Sequence, residues 1–435
     1  MKIMQKSRLG FVALLASALA LTGCATETTS QPTSTSGSTG SSSEAQSEVV
    51  LKVAGWASSE QEDAALRSQL ERFTAETGIR VEFQPSPDYD TTMQTAFASG
   101  DYANVFYVDS SKLPDWVDAG VIASGDGLVE NPDGIYQSLR EIFTVNGSFF
   151  CPAKDFATMG LQFNKDLFDA AGLAYPTSDW TWEDLKDAAA ALSDPASGVI
   201  GLVTPPDLAR WLAFMHQAGG QLFDTGGNFA FDSASTLKAL EYYASFALDG
   251  SGGTPSSVDA GWGGEAFGQG RAAMAMEGGW VMGYLLENFP DLNWGNVELP
   301  SGPAGKATMA FSVCFGVGAN NQHPEESWQL VNFLTGEEAQ SRLGDEGFGS
   351  MPSRVSAAEP YATAWRAKAE GTGFDVNGVD GFIAGAEYGQ RWQLPVGWGA
   401  FTQEFNANLE RVFSGEITAE QMHQTLVQLG TELAG

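Results

Sequence analysis

The sequence predicts an α/β fold built around a parallel sheet. Apolar strand-like runs alternate with amphipathic helical segments through most of the chain, and the first three runs are joined in βαβαβ order, a connection that lays strands parallel. Length agrees: 435 residues, at roughly 150 per domain, allow two or three domains and a large buried core. With 43% apolar and 11% aromatic residues, disordered and collagen-like classes are excluded.

The N-terminal segment stands outside that pattern. Lys2, Lys6 and Arg8 precede an uncharged stretch from Leu9 to Leu21, about 20 Å long as a helix and too short to span a bilayer. It reads as an export signal, residues 1–23. Its end, Leu21-Thr22-Gly23-Cys24, resembles the lipobox of bacterial lipoproteins, which implies cleavage before Cys24 and a lipid on its thiol. From Ala25 to Ser47 the chain turns to Ser, Thr, Gly and Gln without a large apolar side chain, so residues 24–47 read as a lipidated cysteine and a tether with a span on the order of 25 Å.

The folded part follows element by element. Val49 to Val53 is a buried strand, and Ser59 with Glu62 forms a capping box before a helix through Leu66, Leu70 and Phe73 that stops at Gly78. Ile79 to Phe83 is the next strand; Met93 and Phe97 mark a helix; Asn104 to Asp109 is a third strand. In such a unit, ligand groups come from loops at the carboxyl ends of strands, where Trp56 and Asp109 lie. Met159 to Phe163 is a strand feeding the helix from Asn164 to Gly172, and Thr181 opens another helix with Trp182 in its core face. Met274-Ala275-Met276 and Phe311 to Gly318 are strands, Pro324 to Leu334 is a helix, and Thr418 with Gln421 caps the last one. No repeat of fixed period is present, which excludes solenoids and propellers.

Charge and motifs narrow the chemistry. Twenty-two basic against 54 acidic residues, a formal −32, repel phosphate backbones and anionic lipid, so nucleic acid is not a partner and neutral or cationic ligands fit better. His216, His323 and His423 are too far apart to make a legible metal site, and no cofactor is implied. Gly261 to Ala266 satisfies a loose dinucleotide pattern, but no strand runs into it. Cys151 and Cys314 are read as core thiols in preference to a disulfide closing a loop of about 160 residues.

A set of ordered segments carries a resemblance. These are Phe73-x-x-Glu76-Thr77-Gly78-Ile79-x-Val81; Ala96 to Asp101 followed by Val105 to Asp109; Cys151-Pro152-Ala153-Lys154-Asp155-Phe156; Phe163 to Phe168 with Gly172; Thr181-Trp182-Glu183-Asp184-Leu185; Phe267-x-x-Gly270-x-Ala272-Ala273-Met274 with Gly278-Gly279-Trp280; and Met351-Pro352-Ser353-Arg354. In this order the chain resembles family-1 extracellular solute-binding proteins, the sugar-binding components of ATP-binding-cassette importers such as maltose-binding and multiple-sugar-binding proteins. It departs at Gln162, where an aromatic is usual, and at Cys151, where Val or Ile is usual. The resemblance implies a two-lobed fold of the periplasmic-binding type, with ligand in the cleft between lobes joined by crossover strands. On this numbering the N-terminal lobe is residues 48–156 and 311–359, and the C-terminal lobe is residues 157–310 and 360–435. Cys151 and Cys314 then lie on or beside neighbouring crossover strands, where a bond would stiffen the hinge. The implied partners are a mono- or oligosaccharide, the permease subunits with their ATPase, and a membrane reached through the lipid on Cys24. A monomer on the outer face of the cytoplasmic membrane is expected, and the Ser/Thr tether points to a Gram-positive cell.

A sugar offers flat C–H faces and a rim of hydroxyls, so its receptor needs aromatic platforms and planar polar groups. Trp280, after two glycines, is the first platform candidate; Trp56, Trp262 and Trp398 follow. Asp109 ends a buried strand, where it accepts sugar hydroxyls or caps a helix. Arg354 forks onto hydroxyls or pairs with an acid such as Glu60. Glu60, Lys154, Asp155 and Glu277 complete the set. Two alternatives have different chemistry: a surface-anchored glycoside hydrolase working through two carboxylates, and the same fold binding a polyamine, a peptide or an iron complex.

Overall fold

Alternation of apolar strands with helices gives one large mixed sheet. The computed structural model describes residues 49–57, 60–224, 226–392 and 394–435. The export signal, Cys24, the tether and the capping residue Ser59 lie outside the described residues. Strand β1 (Val50–Trp56), the helix Glu60–Thr77, β2 (Arg80–Ser86), the helix Tyr89–Ser99 and β3 (Val105–Asp109) form the expected βαβαβ unit. Both β2 and β3 pair with β1 in parallel. The helix packs through Leu66, Leu70 and Phe73, whose spacing puts them on one face.

After a small separate hairpin of Thr144–Val145 and Ser148–Phe149, the next strand of the large sheet, β4 (Ala153–Asn164), runs for 12 residues and is buried throughout. It is much longer than the apolar run from Met159 suggests, because its first half also carries the buried polar residues Lys154, Asp155 and Thr158. Then come β5 (Ile200–Val203), β6 (Gly252–Gly253), β7 (Ala272–Gly278), β8 (Trp294–Glu298), β9 (Thr308–Val317), β10 (Met351–Pro352) and β11 (Gly389–Arg391). The main order is β2-β1-β3-β9-β4-β7-β5-β6, with β8 and β10 also on β4 and β11 on β9.

Strand β4 divides the sheet. Its first half, Ala153 to Thr158, pairs antiparallel with β9, and Asp155 and Phe156 also meet β10. Its second half, from Met159 on, pairs with β7 on one side and β8 on the other. Strand β9 also serves both sides, joining β3 through Val313 to Val317 and β11 through Thr308 to Ala310. Two strands therefore cross between the halves.

Local capping follows the sequence closely. Thr181 and Asp184 form a full capping box on the helix Trp182–Leu192, and Thr418 with Gln421 does the same for Ala419–Ala434. Asn164 caps Lys165–Ala171 by accepting from the Leu167 N–H. Trp182 is a core residue, as expected: it stacks on Tyr242 at 4.1 Å and donates its indole N–H to Gln217 Oε1 at 2.6 Å. No helix among the described residues is long and apolar enough to cross a membrane.

One expectation is corrected. Cys151 and Cys314 are not separate thiols but a disulfide, with Cα atoms 5.7 Å apart. Register brings them together: Cys314 of β9 lies opposite Ala153 of β4, and the Phe315 N–H donates to the Pro152 carbonyl. The bond ties the entry of one crossover strand to the middle of the other.

Two outcomes follow from this architecture. Closing a loop of 163 residues restricts the unfolded chain, so reduction, or C151A/C314A, is expected to lower unfolding free energy by about 2–5 kcal/mol in chemical denaturation. His216 lies in the last turn of the helix Leu208–Gln217, where burial lowers its pKa from 6.5 to about 4. The unfolded chain then binds more protons between these values, so stability is complete above pH 6.5 and falls as pH drops toward 4, by up to about 3 kcal/mol. H216Q should flatten that part of a stability-against-pH curve.

Candidate functional site

The carboxyl ends of β1 and β3 and the middles of β4 and β9 open onto a cavity of about 800 Å³. From this wall come Trp56, Glu60, Glu62, Asp109, Lys154 and Asp155. The facing wall supplies Trp262 and, from the helix Trp280–Asn288, Trp280, Tyr284, Glu287 and Asn288. Ala157 and Phe311, on the crossover strands, form the floor with Ser312 and Val313.

Register explains the acids. Val313 of β9 lies opposite Asp109 of β3 on one side and Asp155 of β4 on the other, and residues opposite one another in antiparallel strands project from the same face. Two carboxylates from distant parts of the chain thus flank one valine. Burial holds the Asp109 carboxyl above the usual carboxylate range, although Ser111 donates to it through both its N–H (2.8 Å) and its hydroxyl (2.6 Å). This is an Asx turn rather than the helix cap that was the alternative. Burial likewise raises Asp155, against the pull of its ion pair with Lys154. The Lys154 ammonium also lies over the Phe348 ring at 4.2 Å and the Tyr107 ring at 5.0 Å, so protein groups already engage its charge on several sides.

The aromatic residues are set edge to face. Trp56 packs against Tyr107 at 5.1 Å, Trp262 against Tyr284 at 4.8 Å and Trp280 against Phe311 at 5.7 Å. Each of these indoles is half-buried, one part fixed by packing and one part facing the cavity. Gly278 makes room for Trp280: a Cβ there would lie 2.3 Å from the six-membered part of its ring.

Three expected site residues do not line this cavity. Trp398 is 4% exposed and belongs to a buried cluster with Phe223, Phe229 and Phe401; Gly397 closes a turn and Gly399 begins the helix Gly399–Phe413 instead of bringing it to ligand. Arg354 is 1% exposed and donates to the carbonyls of Thr335 (2.6 Å), Asn131 and Glu130 (3.0 Å). Its guanidinium satisfies backbone acceptors around residues 130–131, and Glu60 is not its partner. Glu277 is 1% exposed and lies behind Trp280, accepting its indole N–H at 3.1 Å.

Sequence reasoning missed Tyr284, Phe311, Glu62, Glu287 and Asn288. Tyr284 was accessible, being four residues after Trp280 and therefore on the same helix face. Phe311 acquires its place only from the pairing of distant strands, and Glu62 from the packing of the helix Glu60–Thr77, whereas Glu287, seven residues after Trp280, shares its helix face. No cluster of His, Cys, Asp or Glu suited to a metal ion occurs among the described residues.

This geometry can be set beside known proteins. Residues 57–341 match the model of the bacterial extracellular solute-binding protein family. The chain belongs to that family. A putative binding protein of Brucella abortus (strain 2308) is 24% identical to this solute-binding protein over 293 residues, covering 63% of this chain and 70% of the relative. Among solved structures, the substrate-binding protein Lmo0181 of Listeria monocytogenes, in complex with cycloalternan, superposes with a TM-score of 0.79 at 22% identity, covering 89% of this chain and 99% of the other. A solute-binding protein of Thermotoga lettingae bound with α-D-tagatose gives 0.79 at 21% identity, covering 89% and 100%. These likenesses establish the two-lobed fold of periplasmic binding proteins for this chain.

Because Trp280 fills the space that a side chain at 278 would need, G278A is expected to push the indole off its seat and lower stability by about 1–3 kcal/mol. Denaturation with near-ultraviolet circular dichroism measures both effects.

Proposed function

We propose that this solute-binding protein captures a saccharide between its lobes and hands it to the membrane permease of an ATP-binding-cassette importer. The observation that carries this is the placement of indoles on both walls of one cavity of about 800 Å³: Trp56 on one side, Trp262 and Trp280 on the other. Indole faces suit the C–H faces of pyranose or furanose rings, and carboxylates between them accept hydroxyl hydrogens in pairs. Trp280 is the principal platform, with Asp109 and Asp155 as acceptors. The cavity suits an oligosaccharide better than a single ring, since small-molecule sites usually occupy about 300–1,000 Å³. Support also comes from the neighbours, one in complex with cycloalternan and another bound with α-D-tagatose.

Transport follows from a difference in affinity between two shapes. A saccharide that touches both walls binds the closed form better than the open one and so shifts the population toward closure, the shape that a permease distinguishes. The crossover strands β4 and β9 are the hinge, between lobes of residues 48–156 with 311–359 and 157–310 with 360–435. A lipid on Cys24 and the tether behind it would keep the domain beside its permease as a monomer. No bond is broken in this role, and the family and relatives named above are binding proteins.

One observation favours a second ligand class. Five carboxylates but a single ammonium line the cavity, and that ammonium is paired with Asp155. A ligand carrying an amine would relieve this imbalance.

The test is titration of the domain from residue 48 onward with neutral mono- and oligosaccharides, and with spermidine, by calorimetry. The reading requires saturable binding of a neutral saccharide in the micromolar range or tighter, about −8 kcal/mol, without product. W280A should weaken it at least tenfold, about 1.4 kcal/mol. Silence toward saccharides with a response to spermidine would replace sugar by amine, and product formation would replace receptor by enzyme.

A further inference from the structure

Arg210 lies behind Trp280, on the helix Leu208–Gln217. Its position is held from two sides. Nη1 donates to Asp207 Oδ2 at 2.7 Å, and Nη2 donates to Glu277 Oε2 at 2.8 Å, the same oxygen that accepts the Trp280 indole N–H. The guanidinium carbon is 5.9 Å from the Trp280 ring centroid. Glu277 is itself fixed: Gln162 accepts from its backbone N–H at 2.8 Å and donates to its carbonyl at 3.0 Å, while reaching Asn296 Oδ1 at 2.8 Å. The other Glu277 oxygen lies against Gly263, where a Cβ would approach it to 2.5 Å, and Gly263 directly follows Trp262.

We infer that the Arg210–Glu277 pair is a positioning unit that fixes the indole of Trp280, and the start of the Trp262 segment, in the geometry that ligand meets. The inference rests on the reading of Trp280 as a binding platform. Its logic is geometric. An indole has one donor, and a donor tied to a buried carboxylate leaves the ring little freedom to rotate about its side-chain bonds. That carboxylate needs a cation, because an ionised group buried without one is costly. Arginine suits this place better than lysine: its planar fork reaches Asp207 and Glu277 together and lies beside the ring. Gln162 completes the unit, and its departure from the aromatic usual at this position has a physical purpose, since only a group with both a donor and an acceptor clamps the Glu277 backbone from each side.

The test uses protein labelled with 5-fluorotryptophan, with the Trp280 resonance assigned by its loss in W280F. R210K retains the charge but not the fork, and E277Q retains the shape but not the charge. Both should shift or broaden the Trp280 signal in the absence of any ligand while most other tryptophan signals stay in place. R210K should also weaken binding of the tightest saccharide from the panel above at least tenfold, but less than threefold in a W280F background. A Trp280 signal unmoved in both variants overturns the inference, and so does an equal loss of affinity in both backgrounds, which is what a general structural role predicts. If R210K does not fold, E277Q decides alone through the fluorine signal. If wild type binds no saccharide, the platform reading fails, while the ligand-free fluorine result still decides whether the pair holds the indole.

Discussion

Strand β4 is the constraint on which the rest depends. Twelve successive buried residues oblige nearly every backbone N–H and C=O to find a partner within the protein. No single neighbour serves the whole length, so β9 and β10 satisfy one half and β7 and β8 the other. This shared satisfaction joins two halves of a large sheet through few covalent crossings. It also carries Lys154 and Asp155 to one wall of the cavity and Gln162 to the support of the other. The disulfide adds a covalent tie where β4 begins, so that the position of Asp155 relative to Val313 is set by register and by sulfur together.

The cavity combines two surfaces that each would be poor alone. Aromatic edges packed in pairs give rigid walls. Carboxylates raised by burial, Asp109 and Asp155, are held by Ser111 and Lys154 rather than by bulk water. The result is a site whose polar groups are already oriented before a ligand arrives, the condition under which polyhydroxylated ligands bind without a large ordering cost. Trp280 shows the same economy in one residue: Gly278 leaves it space, Glu277 holds its N–H, and Phe311 of the crossover strand touches its ring.

Much of the architecture was legible. The βαβαβ start, the helix start at Thr181, the capping box at Thr418 and the core role of Trp182 depend on contacts within a few residues, which a sequence displays directly. A rule about strand ends points to Trp56 and Asp109, a Gly-rich loop to Trp262, and a segment characteristic of the family to Trp280. Trp398 and Arg354 lie away from the cavity for one reason. Glycine neighbours and an exposed-looking charge describe local chain geometry, whereas burial is decided by what packs on top: Phe223, Phe229 and Phe401 over Trp398, and three distant carbonyls around Arg354. Arg210 carried a faint signal, as the one arginine in an otherwise largely apolar helix.

The sequence by itself determined the fold class, the alternation of elements, their caps and the family, because hydrophobic period, turn chemistry and ordered segments are properties of neighbouring residues. Tertiary structure alone decided that Cys151 meets Cys314, that Asp109 and Asp155 flank the same valine, and that Glu277 supports Trp280 from behind instead of facing the cavity. The first two depend on pairing between strands more than a hundred residues apart, and the third, a contact across three residues of sequence, on the distant Gln162 and Arg210 that hold Glu277. Register, unlike periodicity, is fixed by the packing of the whole sheet, and one step of slip would turn every one of these side chains to the opposite face.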